Sequence, residues 1–140
     1  MKEAYSFRGI FILILALFIY SGGYTQDTLE EDPKIRQQIY DYGLLAYDYF
    51  KVNINLDSAE FYFKKSIELA YNSSSYEIDQ RVAINLISLA SLYRTLFNNS
   101  EALLKLNEAE KILSNTDPTS KHFGGLYHNK GNIYKVQNDL

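Results

Sequence analysis

Apolar residues recur at helical spacing in the middle of the chain, in two stretches that flank a short polar turn. The first stretch covers residues 86–93, the second covers residues 102–109, and residues 97–100 separate them. Residues three and four apart lie on one face of a helix, so each stretch predicts a helix with one apolar face. Strand-like alternation of apolar and polar residues is absent from the body of the chain, which predicts an all-α fold.

Two aspartate-proline pairs mark predicted helix starts. In the first pair Asp32 precedes Pro33. Aspartate caps the unpaired N–H groups of a first helical turn, and proline is tolerated at the first helical position because its missing N–H would be unpaired there. The same pair recurs at residues 117–118, which predicts a second helix start at that point.

Capping residues supply the remaining boundaries. Asp57 with Glu60 has the spacing of a capping box, and Ser100 is placed to cap the helix that follows the turn. Together these signals predict five helices, over residues 33–52, 57–71, 76–96, 101–113 and 118–136.

A short motif recurs within these helices. Its first part places a bulky residue, Leu, a small residue and Tyr at fixed spacing, and occurs as Tyr42, Leu45, Ala46, Tyr49 and as Leu86, Leu89, Ala90, Tyr93. A third, weaker copy consists of Tyr127, Gly131 and Tyr134, with Lys130 in place of Leu. The second helices carry the series Ala59, Phe63, Ser66 and the series Ala102, Leu106, Ala109.

This order of residues resembles the tetratricopeptide repeat (TPR), a family of stacked helix pairs. The small residues at 46, 90 and 131 are 44 and 41 apart, longer than the usual repeat of about 34. That spacing resembles a long-repeat variety found in bacterial regulators. The resemblance implies an α-solenoid with repeat 1 at residues 33–75, repeat 2 at 76–117 and the first helix of an incomplete repeat 3 at 118–140.

The resemblance also implies roles for individual residues. Close packing of the helices is assigned to Ala46, Ala59, Phe63, Leu89, Ala90, Tyr93, Ala102, Ala109, Gly131 and Tyr134. A peptide-binding groove, lined by the first helix of each pair, is assigned to Tyr40, Tyr47, Phe50, Ile87, Ser91, Arg94, His128, Asn132 and Lys135. Such a groove is aromatic at one end and basic or polar at the other, which suits a segment with an apolar and an acidic portion.

Residues 1–25 have the pattern of a secretory signal peptide. Lys2 and Arg8 precede an apolar run over residues 10–20, and small residues follow. That run is short for a membrane span, which needs about 20 apolar residues, although an uncleaved anchor is the alternative. The pattern predicts an exported protein, periplasmic or anchored in the inner membrane of a Gram-negative bacterium, with residues 26–32 as a linker.

Composition narrows the chemistry. The net charge of −3 and the lack of a basic cluster make nucleic acid an improbable partner class, and the absence of cysteine excludes disulfides and thiol catalysis. His122 and His128 are six residues apart, which places them on different faces of a helix rather than around one metal. No nucleophile or phosphate-loop motif is present, so we expect neither an enzyme nor a cofactor site.

Two functions are consistent with this pattern. The first is a non-enzymatic module that binds a peptide or protein segment in the groove. The second is the amino-terminal sensory part of a longer signalling protein, with a kinase or DNA-binding output. Membrane contact would be limited to residues 10–20 if they are not cleaved, and the unpaired last helix could drive self-association.

Overall fold

A computed structural model describes residues 32–71, 73 and 76–138, and these residues form five helices with no strand among them. The all-α class predicted from the sequence is therefore confirmed for the described residues. The predicted signal peptide and most of the predicted linker, residues 1–31, lie outside them. The helices are α1 (Pro33–Lys51), α2 (Leu56–Ala70), α3 (Tyr76–Thr95), α4 (Asn99–Thr116) and α5 (His122–Asn138).

Helix α3 is the central element of the fold. It packs against each of the other four helices, while α1 also packs on α2 and α4 also packs on α5. Its residues Ile78, Leu86 and Leu92 are fully buried. The core therefore lies around α3, in agreement with the long apolar pattern that its sequence shows.

Asparagine begins two of the helices. The Oδ1 atom of Asn55 accepts a hydrogen bond from the backbone N–H of Ser58, and that of Asn98 accepts one from Glu101. The capping roles predicted for Asp57 and Ser100 are therefore wrong, because both residues already lie inside the first turn of a helix.

The two aspartate-proline pairs differ in their structure. Asp32 caps α1 as predicted, with its Oδ1 atom 2.9 Å from the backbone nitrogen of Lys34. At the second pair, Asp117 instead accepts from the backbone N–H and the hydroxyl of Thr119, which holds a tight turn. Helix α5 consequently begins at His122, four residues later than the sequence predicts.

The α1–α2 and α3–α4 turns share an unusual backbone conformation. Ile54 has φ 49° and Phe97 has φ 59°, in the left-handed region that residues with a Cβ rarely adopt. The next residue is the asparagine cap in each case, and its N–H returns to a tyrosine carbonyl of the preceding helix: Asn55 to Tyr49 at 2.9 Å and Asn98 to Tyr93 at 2.8 Å. Both turns thus place a left-handed residue before an asparagine cap, although the α1–α2 turn is one residue longer.

Small residues lie at the helix contacts. The packing residues predicted for the first two helix pairs are all buried, namely Ala46, Ala59, Phe63, Leu89, Ala90, Tyr93, Ala102 and Ala109. Small side chains at such contacts allow neighbouring helices to approach closely, and a larger residue there would overpack the core.

The predicted packing role of Gly131 and Tyr134 is wrong for the described chain. Both residues are exposed, and a Cβ atom built on Gly131 meets nothing within 4 Å. The physical reason is that no described helix covers this face of α5. The third copy of the motif therefore occupies a surface rather than a contact.

Candidate binding surface

The residues predicted to line a groove lie on α1, α3 and α5, and the structure separates them into three groups. On α1, Tyr47 is exposed, but Tyr40 is half-buried with the Arg81 guanidinium carbon 4.3 Å from its ring centroid. Phe50 is only 8% exposed and belongs to the core, so its predicted place in the groove is wrong. On α1, the predicted groove therefore keeps only exposed Tyr47 and the accessible part of half-buried Tyr40.

The middle of the predicted groove is a helix contact. Ile87 is half-buried against the core, and its Cγ2 atom lies 3.9 Å from a Cβ atom built on Gly125 of α5. Ser91 is half-buried one turn further along α3, and its carbonyl accepts a hydrogen bond from the Thr95 hydroxyl at 3.0 Å. Ile87 therefore lies at the contact between α3 and α5, and neither residue presents an open surface.

Three of the predicted groove residues meet around one cavity. Arg94 from α3 and Asn132 and Lys135 from α5 line a cavity of about 370 Å³. Its remaining lining residues are Phe97 and Asn99, from the α3–α4 turn and the start of α4, and Val136 from α5. Charged, amide and apolar side chains thus converge from three elements at the C-terminal ends of α3 and α5. We refer to these six residues as the Arg94 cavity.

The two cations of the Arg94 cavity have no carboxylate partner among the described residues. By contrast, four other lysines form ion pairs with glutamates: Lys64 with Glu60, Lys65 with Glu68, Lys105 with Glu108 and Lys130 with Glu110. The Nε atom of Arg94 is also buried without a hydrogen-bond partner. The Nε atom of Arg81, outside the cavity, is buried in the same way. The pair of cations without a carboxylate partner therefore makes the cavity suited to an anionic group that would supply acceptors.

The rim of the Arg94 cavity is apolar and exposed. Phe97 is 89% exposed and Val136 is 52% exposed. The position of Phe97 is fixed by the turn, where its own N–H donates to the Arg94 carbonyl at 3.0 Å. Phe97 and Val136 together offer an exposed apolar surface beside the two cations.

Sequence reasoning found three cavity residues and missed the other three. The sequence predicts Phe97 and Asn99 only as turn residues and Val136 only as the end of a helix. One sequence signal points to Phe97: it is a large aromatic residue in a polar turn, where a side chain is expected to be exposed.

His128 takes no part in the cavity lining. It is exposed, and its Nε2 atom lies 3.0 Å from the Nδ2 atom of Asn132, one helical turn away. This contact can orient the Asn132 amide next to Lys135. His128 therefore lies beside the cavity rather than in it.

The other polar clusters of the described chain connect helices. Glu60 accepts from Lys64 and from the Tyr93 hydroxyl, and these bonds lower the pKa of Glu60 despite partial burial. Glu110 accepts from Lys130 at 2.6 Å and from the Tyr127 hydroxyl at 2.8 Å, with the same effect on its pKa. Both carboxylates are satisfied within the fold, which is typical of structural links rather than of reactive groups.

The described residues were also searched for metal-binding clusters and for membrane-spanning helices. They contain no group of three potential ligands that could hold a metal ion. Within the same residues, no helix combines the length and the apolar character that crossing a bilayer requires. Comparisons with protein families, with curated proteins and with solved structures find no match for this chain.

Proposed function

We propose that this protein is a non-enzymatic interaction module, a short TPR-like array of helix pairs that binds a peptide segment of another protein. The segment contacts the Arg94 cavity, with an acidic group against Arg94 and Lys135 and an apolar side chain against Phe97 and Val136. The observation that carries the proposal is the pair of cations, Arg94 and Lys135, without a carboxylate partner among the described residues, in a cavity with an apolar rim.

Repetition in the two helix pairs supports the array. Ala46 and Ala90, 44 residues apart, are both fully buried, and the two turns pair a left-handed residue with an asparagine cap. Stacked pairs of this kind present the first helices of successive pairs on one face, where extended ligands bind.

The chemistry of the cavity favours a peptide over a nucleic acid. Nucleic-acid binding depends on many phosphate contacts, and the chain has a net charge of −3. Two cations and two amides instead match one or two carboxylates, and the adjacent apolar rim supplies affinity through burial. A short stretch with Asp or Glu next to an apolar residue meets both requirements.

Selection from a random peptide library displayed on phage tests this function with the full chain as bait. We expect enriched peptides to combine acidic and apolar residues within a few positions. Their affinity should fall about tenfold or more for Arg94→Gln with Lys135→Gln, since charge-assisted hydrogen bonds are lost.

Lys111→Gln is the matched control, because Lys111 is an exposed lysine on α4 outside the cavity. This variant should bind the enriched peptides as the wild type does. Failure of the library to yield any acidic-apolar consensus, or equal binding by the double variant, would contradict the proposed function.

A further inference from the structure

A second arginine of α3, Arg81, resembles Arg94 in its surroundings. It is half-buried and makes no ion pair with a described residue. Arg81 and Arg94 are 13 residues apart, which corresponds to about 20 Å along the helix axis. Helix α3 therefore carries one such arginine towards each of its ends.

The neighbouring helices fix the location of Arg81. Its guanidinium carbon lies 4.3 Å from the centroid of the Tyr40 ring on α1. Its positive charge is also close enough to His122, at the start of α5, to help lower the pKa of that histidine. Arg81 thus lies on the side of α3 that α1 and α5 flank, and Arg94 meets Asn132 and Lys135 of α5 further along the same helix.

The acidic residues near Arg81 have other partners. Glu77 pairs with Arg36 at 3.0 Å, Asp41 accepts from the Gln37 amide at 2.8 Å, and Asp117 accepts from the Gln80 amide at 2.9 Å. None of these three carboxylates forms an ion pair with Arg81. The Arg81 guanidinium can therefore accept the carboxylate of a ligand as a partner.

Uncharged residues connect the two arginines along α3. Ile84 and Ser88 follow Arg81 at spacings of three and four, so they continue its face of the helix towards Arg94. Both are half-buried, and Thr95 beyond them is exposed. A ligand that lies along this face meets apolar and hydroxyl groups between two cations.

We propose that the peptide segment bound at the Arg94 cavity carries a second acidic residue, which pairs with Arg81. In an extended segment, at about 3.3 Å per residue, a distance of about 20 Å separates acidic side chains that are about six residues apart. Arg81 is then a specificity-determining residue, because it selects segments with this spacing. The inference rests on the function proposed above, since it concerns the same bound segment.

Peptides built on a sequence selected from the phage library test the spacing. Each keeps the acidic-apolar core and gains a second Glu either three or six residues from the first, towards each end in turn. Fluorescence anisotropy follows their titration with the full chain. The best six-residue peptide should bind about threefold or more tightly than either three-residue peptide, because only this spacing reaches Arg81. A peptide with Gln in place of the second Glu is the control and should show no gain.

Variants of the chain test whether Arg81 is the partner. Arg81→Gln should abolish the gain of the six-residue peptide and leave the affinity of the Gln control peptide unchanged, which also shows that the variant is folded. Arg81→Lys retains the positive charge and should keep most of the gain. Lys111→Gln, an exposed lysine on α4, should keep all of it.

The outcomes separate this inference from the proposed function. If no acidic-apolar peptide binds, the proposed function fails. If the selected peptide binds and depends on Arg94 and Lys135, but the second Glu adds no affinity or its gain survives Arg81→Gln, only the pairing with Arg81 is overturned.

Two further results would overturn the pairing in favour of another occupant. A concentration-dependent dimer in sedimentation, lost in Arg81→Gln, would assign Arg81 to a second copy of the chain. Tighter binding of the six-residue peptide after Glu30→Gln with Glu31→Gln would assign it to acidic residues of this chain.

Discussion

Asn85 donates a hydrogen bond from its Nδ2 atom to the Oγ atom of Ser66, at 2.7 Å, inside the core between α2 and α3. Ser66 in turn donates to the backbone carbonyl of Ile39 on α1 at 2.6 Å. Both polar side chains are buried, so this chain of two hydrogen bonds fixes the positions of three helices relative to one another.

Removal of the hydroxyl should show how much this link contributes. Ser66→Ala leaves the buried Asn85 amide without its acceptor and removes the second hydrogen bond to the Ile39 carbonyl, and we expect the free energy of unfolding to fall by about 1–3 kcal/mol. Urea denaturation followed by circular dichroism measures this difference. Ser100→Ala, at an exposed position in the first turn of α4, is the control and should change stability by less than about 0.5 kcal/mol. Equal stability of the two variants would show that the link is unimportant.

Gly43 and Gly131 should respond in opposite directions to the same substitution. A Cβ atom on Gly43 would lie 3.0 Å from Oδ1 and 3.1 Å from Nδ2 of Asn85, whose side chain is held by Ser66. We expect Gly43→Ala to lower the free energy of unfolding by about 1 kcal/mol, because overpacking exceeds the gain in helix propensity.

Gly131→Ala provides the comparison, since its added methyl group meets open space in the middle of α5. It should raise the free energy of unfolding by about 0.5–1 kcal/mol. Thermal and urea denaturation of both variants measures whether each substitution raises or lowers the free energy of unfolding. A stabilising Gly43→Ala would show that Asn85 can move aside.

The left-handed backbone at Ile54 is a source of strain that substitution can relieve. Ile54 is exposed and β-branched at φ 49°, whereas asparagine tolerates this region. We therefore expect Ile54→Asn to raise the free energy of unfolding by about 1 kcal/mol. Val52→Asn is matched in side-chain type and exposure but has φ −105°, so it should give no such gain. A similar change in both variants would indicate a cause other than the backbone.

His122 should make stability depend on pH. Burial, together with the positive charges of Lys121 and Arg81, lowers the pKa of His122, and Asp117 opposes this only in part. Because the unfolded chain then binds the proton more readily than the folded chain, stability should be lost as pH falls through the ordinary histidine value of about 6.5 towards the lowered pKa.

Chemical denaturation at about pH 8 and about pH 5.5 tests this in the wild type and in His122→Gln. The wild type should lose more stability on acidification than the variant. An equal loss in both would place the pH dependence elsewhere in the chain.

The helices themselves were predictable, but their exact starts were not. Spacing of apolar residues identifies a helical face without knowledge of its neighbour, which is why α3 and its buried leucines were found. Several adjacent polar residues can each cap a helix start, and the sequence alone does not show that Asn55 rather than Asp57 does so. At Asp117 the side chain bonds to Thr119 within a turn, so the helix begins later than the proline suggests.

The binding surface was predictable only in part, for a related reason. Motif position placed Phe50 in a groove, yet its bulk is better accommodated in the core, and the pattern contains no information about that choice. Phe97 joins the cavity because its turn adopts a left-handed backbone, a conformation that the spacing of apolar residues does not predict.

Chemical-shift mapping with a selected acidic-apolar peptide tests the binding site itself. A ¹⁵N-labelled full chain is titrated with the peptide, and shift changes are followed for backbone and side-chain amides. We expect the largest changes at Arg94, Lys135 and the side-chain amide of Asn132. Changes concentrated at Lys64 and Lys105, on the α2 and α4 side of the molecule, or no changes at saturating peptide, would contradict the proposed site.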